Sequence, residues 1–315
     1  MEQESDQFAG ILQRISPEVQ QMIRDYEEHP VLPDWPVHTR GVPNIYLRSA
    51  LFGVIKRGNR RAVKKETIGT FKGLCIRYTG WQLDQGDLDV LVQALHLHKY
   101  HLDPDSARYI RFTVKGFLRS IGRQPGKSGR ELLKDSLRRL KANALEITTE
   151  LHMAYSSETI TYAGSLVDEF YYNEREQSYF LKINPKLAAL FNAGWTQLQW
   201  KQRLQLKADL AKWLHGFYAS HRDPFPVKVT TLKHLCGSDC NRLADFRRNL
   251  RFAMNELIAA GAIDGWEIDA EDKVHVQKTG TKIAPKLSIG GGIAVTLGQT
   301  EIVGKPSNHR PCQRS

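Results

Sequence analysis

The sequence predicts an α+β chain, mainly helical, built from two tandem winged-helix domains. Three observations carry that expectation. A length of 315 residues allows about two domains at roughly 150 residues each. A fixed order of elements (short helix, turn, basic amphipathic helix, β-hairpin) begins at Thr113 and recurs after Pro226. Lys and Arg total 45 against 34 Asp and Glu, a net charge of +11, which suits a polyanionic partner.

The charge is uneven along the chain. Residues 1–40 hold 3 Lys/Arg against 8 Asp/Glu, residues 41–280 hold 37 against 25, and the stretch from 281 holds 5 against 1. The positive field therefore belongs to the body, and nucleic acid comes before an anionic membrane surface as its partner. No run of about 18 apolar residues is present, so no membrane helix is expected. The opening MEQESDQ is acidic where an export or transit signal is basic. Four cysteines (Cys75, Cys236, Cys240, Cys312) make no disulfide framework in a chain this long, and a reducing cytoplasm is expected.

Residues 7–28 place Ile11, Ile15, Val19, Met22, Ile23 and Tyr26 at helical spacing, split near Ser16-Pro17. HPVLPDWPVHTRGVP then reads as a linker or extended arm. The expected organisation is an acidic arm and Pro-rich linker (1–40), an N-terminal domain (41–195), a C-terminal domain (196–280) and a flexible tail (281–315). NIYLRSALFGVI opens the first core as a strand or a helix start. KRGNRRAVKK follows, a solvated loop or a phosphate contact through Arg57, Arg60 and Arg61. LDVLVQALHLHKYHL sets Leu88, Leu91, Val92, Leu95 and Leu102 on one helical stripe.

The first distinctive unit is TVKGFLRSIG, a short helix ending at Gly122, then the loop RQPGKSG, then ELLKDSLRRLKANAL. In that second helix Leu133, Leu137, Leu140 and Ala144 share a face. Lys127, Lys134, Asp135 and Arg138 lie opposite, with Arg139 and Lys141 on the flank. The segments after it, to about Phe180, are rich in β-branched and aromatic residues between polar turns. The second unit reads as a long helix over 198–222, a short strand PVKV, and a short helix TTLKHLCG capped by Thr230 or Thr231. A longer helix over 238–261 and the hairpin GWEIDAEDKVHVQKT complete it. An offset of 110 residues pairs Leu133 with Leu243, Asp135 with Asp245, Arg138 with Arg248 and Leu140 with Leu250, as in a duplicated domain.

With Leu243, Phe246, Leu250, Met254 and Leu257 toward the core, Asn241, Asp245 and Arg248 point away, flanked by Arg242, Asn249 and Arg251. Such a helix offers side chains to the major groove, where Arg reads guanine, Asn adenine and Asp cytosine. These six are the candidate base-reading residues. Lys127, Lys134, Arg138, Arg139, Lys141 and Arg247 join Arg57, Arg60 and Arg61 as candidate phosphate contacts.

Three other patterns point elsewhere. His96-Leu97-His98 is the metal pair of nicking enzymes only on a strand, with Tyr171 or Tyr172 as nucleophile, and here it falls in a helical stretch. QPGKSG misses the phosphate-loop spacing, because Gly122 stands one residue too close to Gly126. Cys236 and Cys240 lack a second pair nearby, so no metal site is expected.

The segments NIYLRSALFG (44–53), IRYTGWQLDQGDLDVLVQALHL (76–97), LLKDSLRRLKANALEI (132–147), KWLHGFYASHRDPFPVKVTTLKHLCGSD (212–239) and FRRNLRFAMNELIAAGAI (246–263) resemble the TrfA family of plasmid replication initiators. The resemblance covers about residues 40–280. It implies two tandem winged-helix domains that bind direct repeats (iterons) in double-stranded DNA at a plasmid origin. It assigns the main base contacts to the C-terminal domain, and backbone contacts and a dimer surface to the N-terminal one. Monomers initiate, and dimers repress or pair origins. The expectation is a cytoplasmic, plasmid-associated initiator that opens the origin, works with the host initiator and replicative helicase, and helps control copy number. It is not an enzyme and needs no cofactor. The alternatives are a winged-helix transcriptional repressor and a rolling-circle nicking enzyme.

Overall fold

The computed structural model describes residues 32–56, 58–70, 74–100, 109–152 and 157–278. The helices expected within 7–28, the stretch from 281, Arg57 and Leu102 lie outside the described residues.

The Pro-rich segment, where described, is no free linker. Trp35 is only 1% exposed, stacked on Phe191 at 5.8 Å and donating through Nε1 to His96 Nδ1 at 3.3 Å. Its ring lies so close over Gly41 that a Cβ there would meet it at 2.2 Å. Gly41 belongs to β1 (Thr39–Pro43), a buried strand paired antiparallel with Trp195–Gln199. An indole this deeply buried draws the arm into the core.

α1 (Asn44–Leu47), β2 (Phe52–Gly53), β3 (Ala62–Thr67), β4 (Leu74–Trp81) and β5 (Leu83–Asp84) follow. KRGNRRAVKK therefore runs into a strand and is not wholly a loop. β4 buries Ile76 and Tyr78, two residues apart, as a strand with one inward face must. α2 (Gln85–Tyr100) carries the expected stripe, with Leu88, Leu91, Val92 and Leu95 buried.

β6 (Ile110–Thr113) leads into α3 (Val114–Ser120), whose first turn is capped by the Thr113 hydroxyl accepting from Gly116 N–H. The chain turns at Gly122 with φ +70°, a backbone shape that favours glycine. α4 (Lys127–Lys141) follows, burying Leu133, Leu137 and Leu140. Ala144 does not share that face, because the helix ends before it and β7 (Asn143–His152) begins. β8 (Ser157–Gly164), β9 (Val167–Asn173) and β10 (Ser178–Ile183) are the other expected strands. They form two sheets, β3-β4-β7-β8 and β6-β10-β9. α5 (Ala189–Asn192) and β11 (Trp195–Gln199), the partner of β1, close this half.

The long helix expected over 198–222 is two helices, α6 (Trp200–Gln205) and α7 (Asp209–Ala219). Leu206 breaks it with an extended ψ of 132° and enters the second core. The Glu256 carboxylate accepts from the freed Lys207 and Ala208 N–H groups at 2.8 and 3.2 Å. β12 (Val227–Lys228) and α8 (Val229–Leu235) come next. Neither Thr230 nor Thr231 caps α8; both lie inside it, and Lys228 occupies the cap position. α9 (Leu243–Ala259), β13 (Ile263–Ile268) and β14 (Lys273–Lys278) complete the half, in a sheet ordered β12-β14-β13.

Fourteen strands in five sheets among the described residues make this a mixed α+β chain, with less helical dominance than expected. One apolar core runs from Trp35 to Trp200 and a second from Leu206 to Val274. The change of core falls between Trp200 and Leu206, across α6. The halves are joined by buried ionic contacts. Asp89 accepts from Arg203 Nε and Lys212 Nζ, both at 2.6 Å, and neither Asp89 nor Arg203 reaches solvent. Burial works to raise the Asp89 carboxyl, but Arg203 and Lys212 together hold it below the usual carboxylate range. Trp213 Nε1 also donates to Ser49 O at 3.1 Å, and Val54 N–H to Cys236 O at 2.8 Å.

Candidate nucleic-acid interface

α9 is amphipathic in the sense the sequence predicts. Phe246, Leu250, Ala253, Met254 and Leu257 are fully buried. Arg248, Asn249 and Arg251 are exposed on its outer side, and Asp245 is half-buried. Arg248 Nη2 pairs with Asp245 Oδ1 at 3.1 Å, one turn back, a surface pair that a phosphate or base can replace at little cost. The helix starts at Leu243, later than expected, so Asn241 and Arg242 are not on its barrel. Arg242 is the cap residue, and Asn241 lies in the turn before it. Asn241 lines an open groove of about 970 Å³, with Lys233 and His234 of α8 on its side and Arg61 and Gln82 facing it.

Arg247 is committed elsewhere. Its guanidinium donates twice to Asp272 at the hairpin turn, at 2.9 and 2.8 Å, and that contact holds the Asp272 carboxyl below its usual range. Its role is to tie α9 to the β13–β14 hairpin, and phosphate contact through it would break a bidentate pair.

In the first half, Lys127, Arg138 and Lys141 of α4 are exposed and Lys134 is half-buried. Arg138 Nη1 stands 3.4 Å from Asp135 Oδ1, the same arrangement as Arg248 with Asp245. Lys141 Nζ donates to Asp168 O. Lys127 and Lys134 line a hollow of about 530 Å³ together with Arg130, Tyr172 and Tyr179.

Arg60 and Arg139 do not stand where a phosphate contact needs them. Both point inward to Asp87, which is fully buried. Arg139 donates to it at 2.7 and 3.1 Å, Arg60 at 2.9 Å, and Ser136 Oγ adds a third partner. Arg60 also bonds Asp84. A buried carboxylate demands compensating cations, and these two supply them. Arg61 remains exposed, paired loosely with Glu66 at 3.2 Å.

The other patterns fall into structural places. His96 is buried in α2 and accepts from Trp35. QPGKSG is split: Gln124-Pro125 lie in the turn between α3 and α4, Gly126 is the cap residue, and Lys127-Ser128-Gly129 open α4. Burial pushes the Cys236 thiol up to about 12. Among the described residues no group of three His, Cys, Asp or Glu is placed to hold a metal ion, and no helix is long and apolar enough to cross a membrane.

Sequence reasoning passed over Phe252. It lies on the outer face of α9 and is 65% exposed, next to Arg251 and one turn beyond Arg248. Its spacing from the buried stripe of Phe246, Leu250, Ala253 and Met254 places it on that face among polar neighbours.

A family model described as TrfA protein matches residues 5–278. The chain belongs to the TrfA family. The plasmid replication initiator protein TrfA of Escherichia coli is 27% identical over 248 residues, covering 78% of this chain and 63% of the relative. The chain thus spans less than two thirds of the length of that TrfA relative. Among solved structures, domains 2 and 3 of RctB superpose with a TM-score of 0.52 at 12% identity, covering 75% of this chain and 98% of the other. That likeness is one of fold.

Proposed function

We propose that this chain is a plasmid replication initiator that grips iterons in double-stranded origin DNA through two tandem winged-helix units. Membership of the TrfA family supports the role, and the outer face of α9 carries the chemistry. α8, the turn at Gly237 and α9 have the order of a helix-turn-helix, with β13 and β14 as the wing. α9 enters the major groove, where Arg248 and Arg251 meet guanine and Asn249 meets adenine. α3, α4 and the strands after it form the first unit, in which Lys127, Lys134, Arg138 and Lys141 hold phosphates. Binding to clustered repeats strains adjacent A·T-rich duplex, and the host initiator and replicative helicase complete opening and loading. The protein acts in the bacterial cytoplasm, in a monomer–dimer balance that adjusts copy number. It uses no cofactor and cleaves no bond.

The test has two arms. Duplexes selected by the full chain from a random library should bind with an affinity that falls steeply with salt, since every neutralised phosphate releases counterions. A plasmid bearing the selected repeats beside an A·T-rich segment should be maintained only when the chain is expressed. Specific binding without maintenance indicates a transcriptional repressor. Relaxation of supercoiled origin DNA with Mg²⁺ and a covalent protein–DNA adduct would show a nicking enzyme.

A further inference from the structure

We infer that Phe252 is a specificity-determining residue that packs on the 5-methyl group of a thymine in the major groove; this rests on the proposed reading of α9 as the base-reading helix. Phe252 is 65% exposed, and the Arg248 side chain is 66% exposed. At about 100° per residue, four positions bring Phe252 back to within about 40° of Arg248 along the helix. The two side chains therefore leave the same face one turn apart.

The surroundings define what this ring fits. Arg248 stands one turn before it and Glu256 one turn after, the Glu256 carboxylate already bound to the Lys207 and Ala208 N–H groups, and Asn255 is held by Trp266 Nε1 at 3.2 Å from the hairpin. Ile258 is the nearest other exposed apolar side chain along α9, six positions on and about 120° around the barrel. Phe252 is thus a single apolar contact set in a polar face whose carboxylates, Asp245 and Glu256, are already paired, not part of a continuous apolar patch of the kind that docks another protein. DNA offers the matching surface. Each thymine projects one methyl group into the major groove beside hydrogen-bond acceptors, and an apolar side chain next to arginines meets both.

The test uses the full chain and a duplex it selects from a random library, with each thymine replaced in turn by deoxyuridine, which lacks only the methyl group. For the unaltered protein, one replacement should weaken binding about fourfold, the effect of losing one buried methyl contact. Phe252→Ala should weaken binding to the thymine duplex by at least that factor and be blind to the same replacement. Phe252→Leu keeps an apolar contact and should keep the sensitivity, which covers the case of an Ala variant that folds poorly. The inference is overturned if no replacement weakens binding, or if both variants and the unaltered protein lose equally at every thymine. If no duplex is selected at all, the reading of α9 fails first, and that result is distinct.

Discussion

α4 and α9 carry the same outward pair, an aspartate followed three residues later by an arginine, at 3.4 Å in one and 3.1 Å in the other. They differ at the next position. Arg139 follows Arg138 and turns inward to the buried Asp87, whereas Asn249 follows Arg248 and stays exposed. Two basic helices of similar composition therefore put their cations to different uses. α4 spends one arginine on holding its own half together, and α9 keeps Arg248 and Arg251 for whatever approaches from outside. A count of basic residues overstates the charge a helix can offer, because a buried carboxylate claims its neighbours first.

The contrast can be broken at three residues. Arg139→Ala should have the largest effect and act on stability. It leaves Asp87 with Arg60 as its single cationic partner, and breaking a buried pair costs about 3 kcal/mol, read as a lower denaturation midpoint. Loss of DNA affinity at unchanged stability would show that Arg139 serves the surface after all. Arg248→Ala should behave in the opposite way, costing about 1–3 kcal/mol on the selected site and relaxing preference at one base pair, with its thermal midpoint near that of the unaltered protein. If it binds every site as before, α9 is not the reading helix. Arg138→Ala should have the smallest effect. It should weaken binding evenly across sequences and make the salt dependence shallower by about one in slope, measured as log affinity against log salt. Discrimination lost at one base by Arg138→Ala and by no change in α9 would reverse the roles of the two halves.

What could be read from the sequence follows from the range of each interaction. α3, α4, α8, α9 and the closing hairpin were legible because their apolar spacing is local. The break between α6 and α7 was not. LQLKADLAKW contains neither proline nor glycine, and the break is held by Glu256, which is 49 residues away from Lys207. The same limit hid the inward turn of Arg60 and Arg139, since nothing near either residue announces Asp87, 27 and 52 positions away. β3 escaped notice because its exposed lysines look like loop, and only pairing with β4 makes it a strand. Trp35 was misjudged for a similar reason: prolines around it signal a linker, while its burial depends on Gly41, Phe191 and His96.

The ionic pin at Asp89 and Lys212 joins α2 of the first half to α7 at the start of the second, with Arg203 of the intervening α6 bound to both. Such a pin turns the chain into a ruler. On the proposed reading, α4 and α9 both belong to this frame, so the distance between their footprints is set by the protein and not by the DNA. One base pair added between those footprints would rotate the second by about 35° around the duplex, at about 10.5 base pairs per turn. A flexible tether would absorb that rotation; the Asp89 contacts with Arg203 and Lys212 oppose it. On the proposed reading, the repeats bound by this chain should keep one internal spacing, and a change in their length should damage recognition as much as a change in their letters.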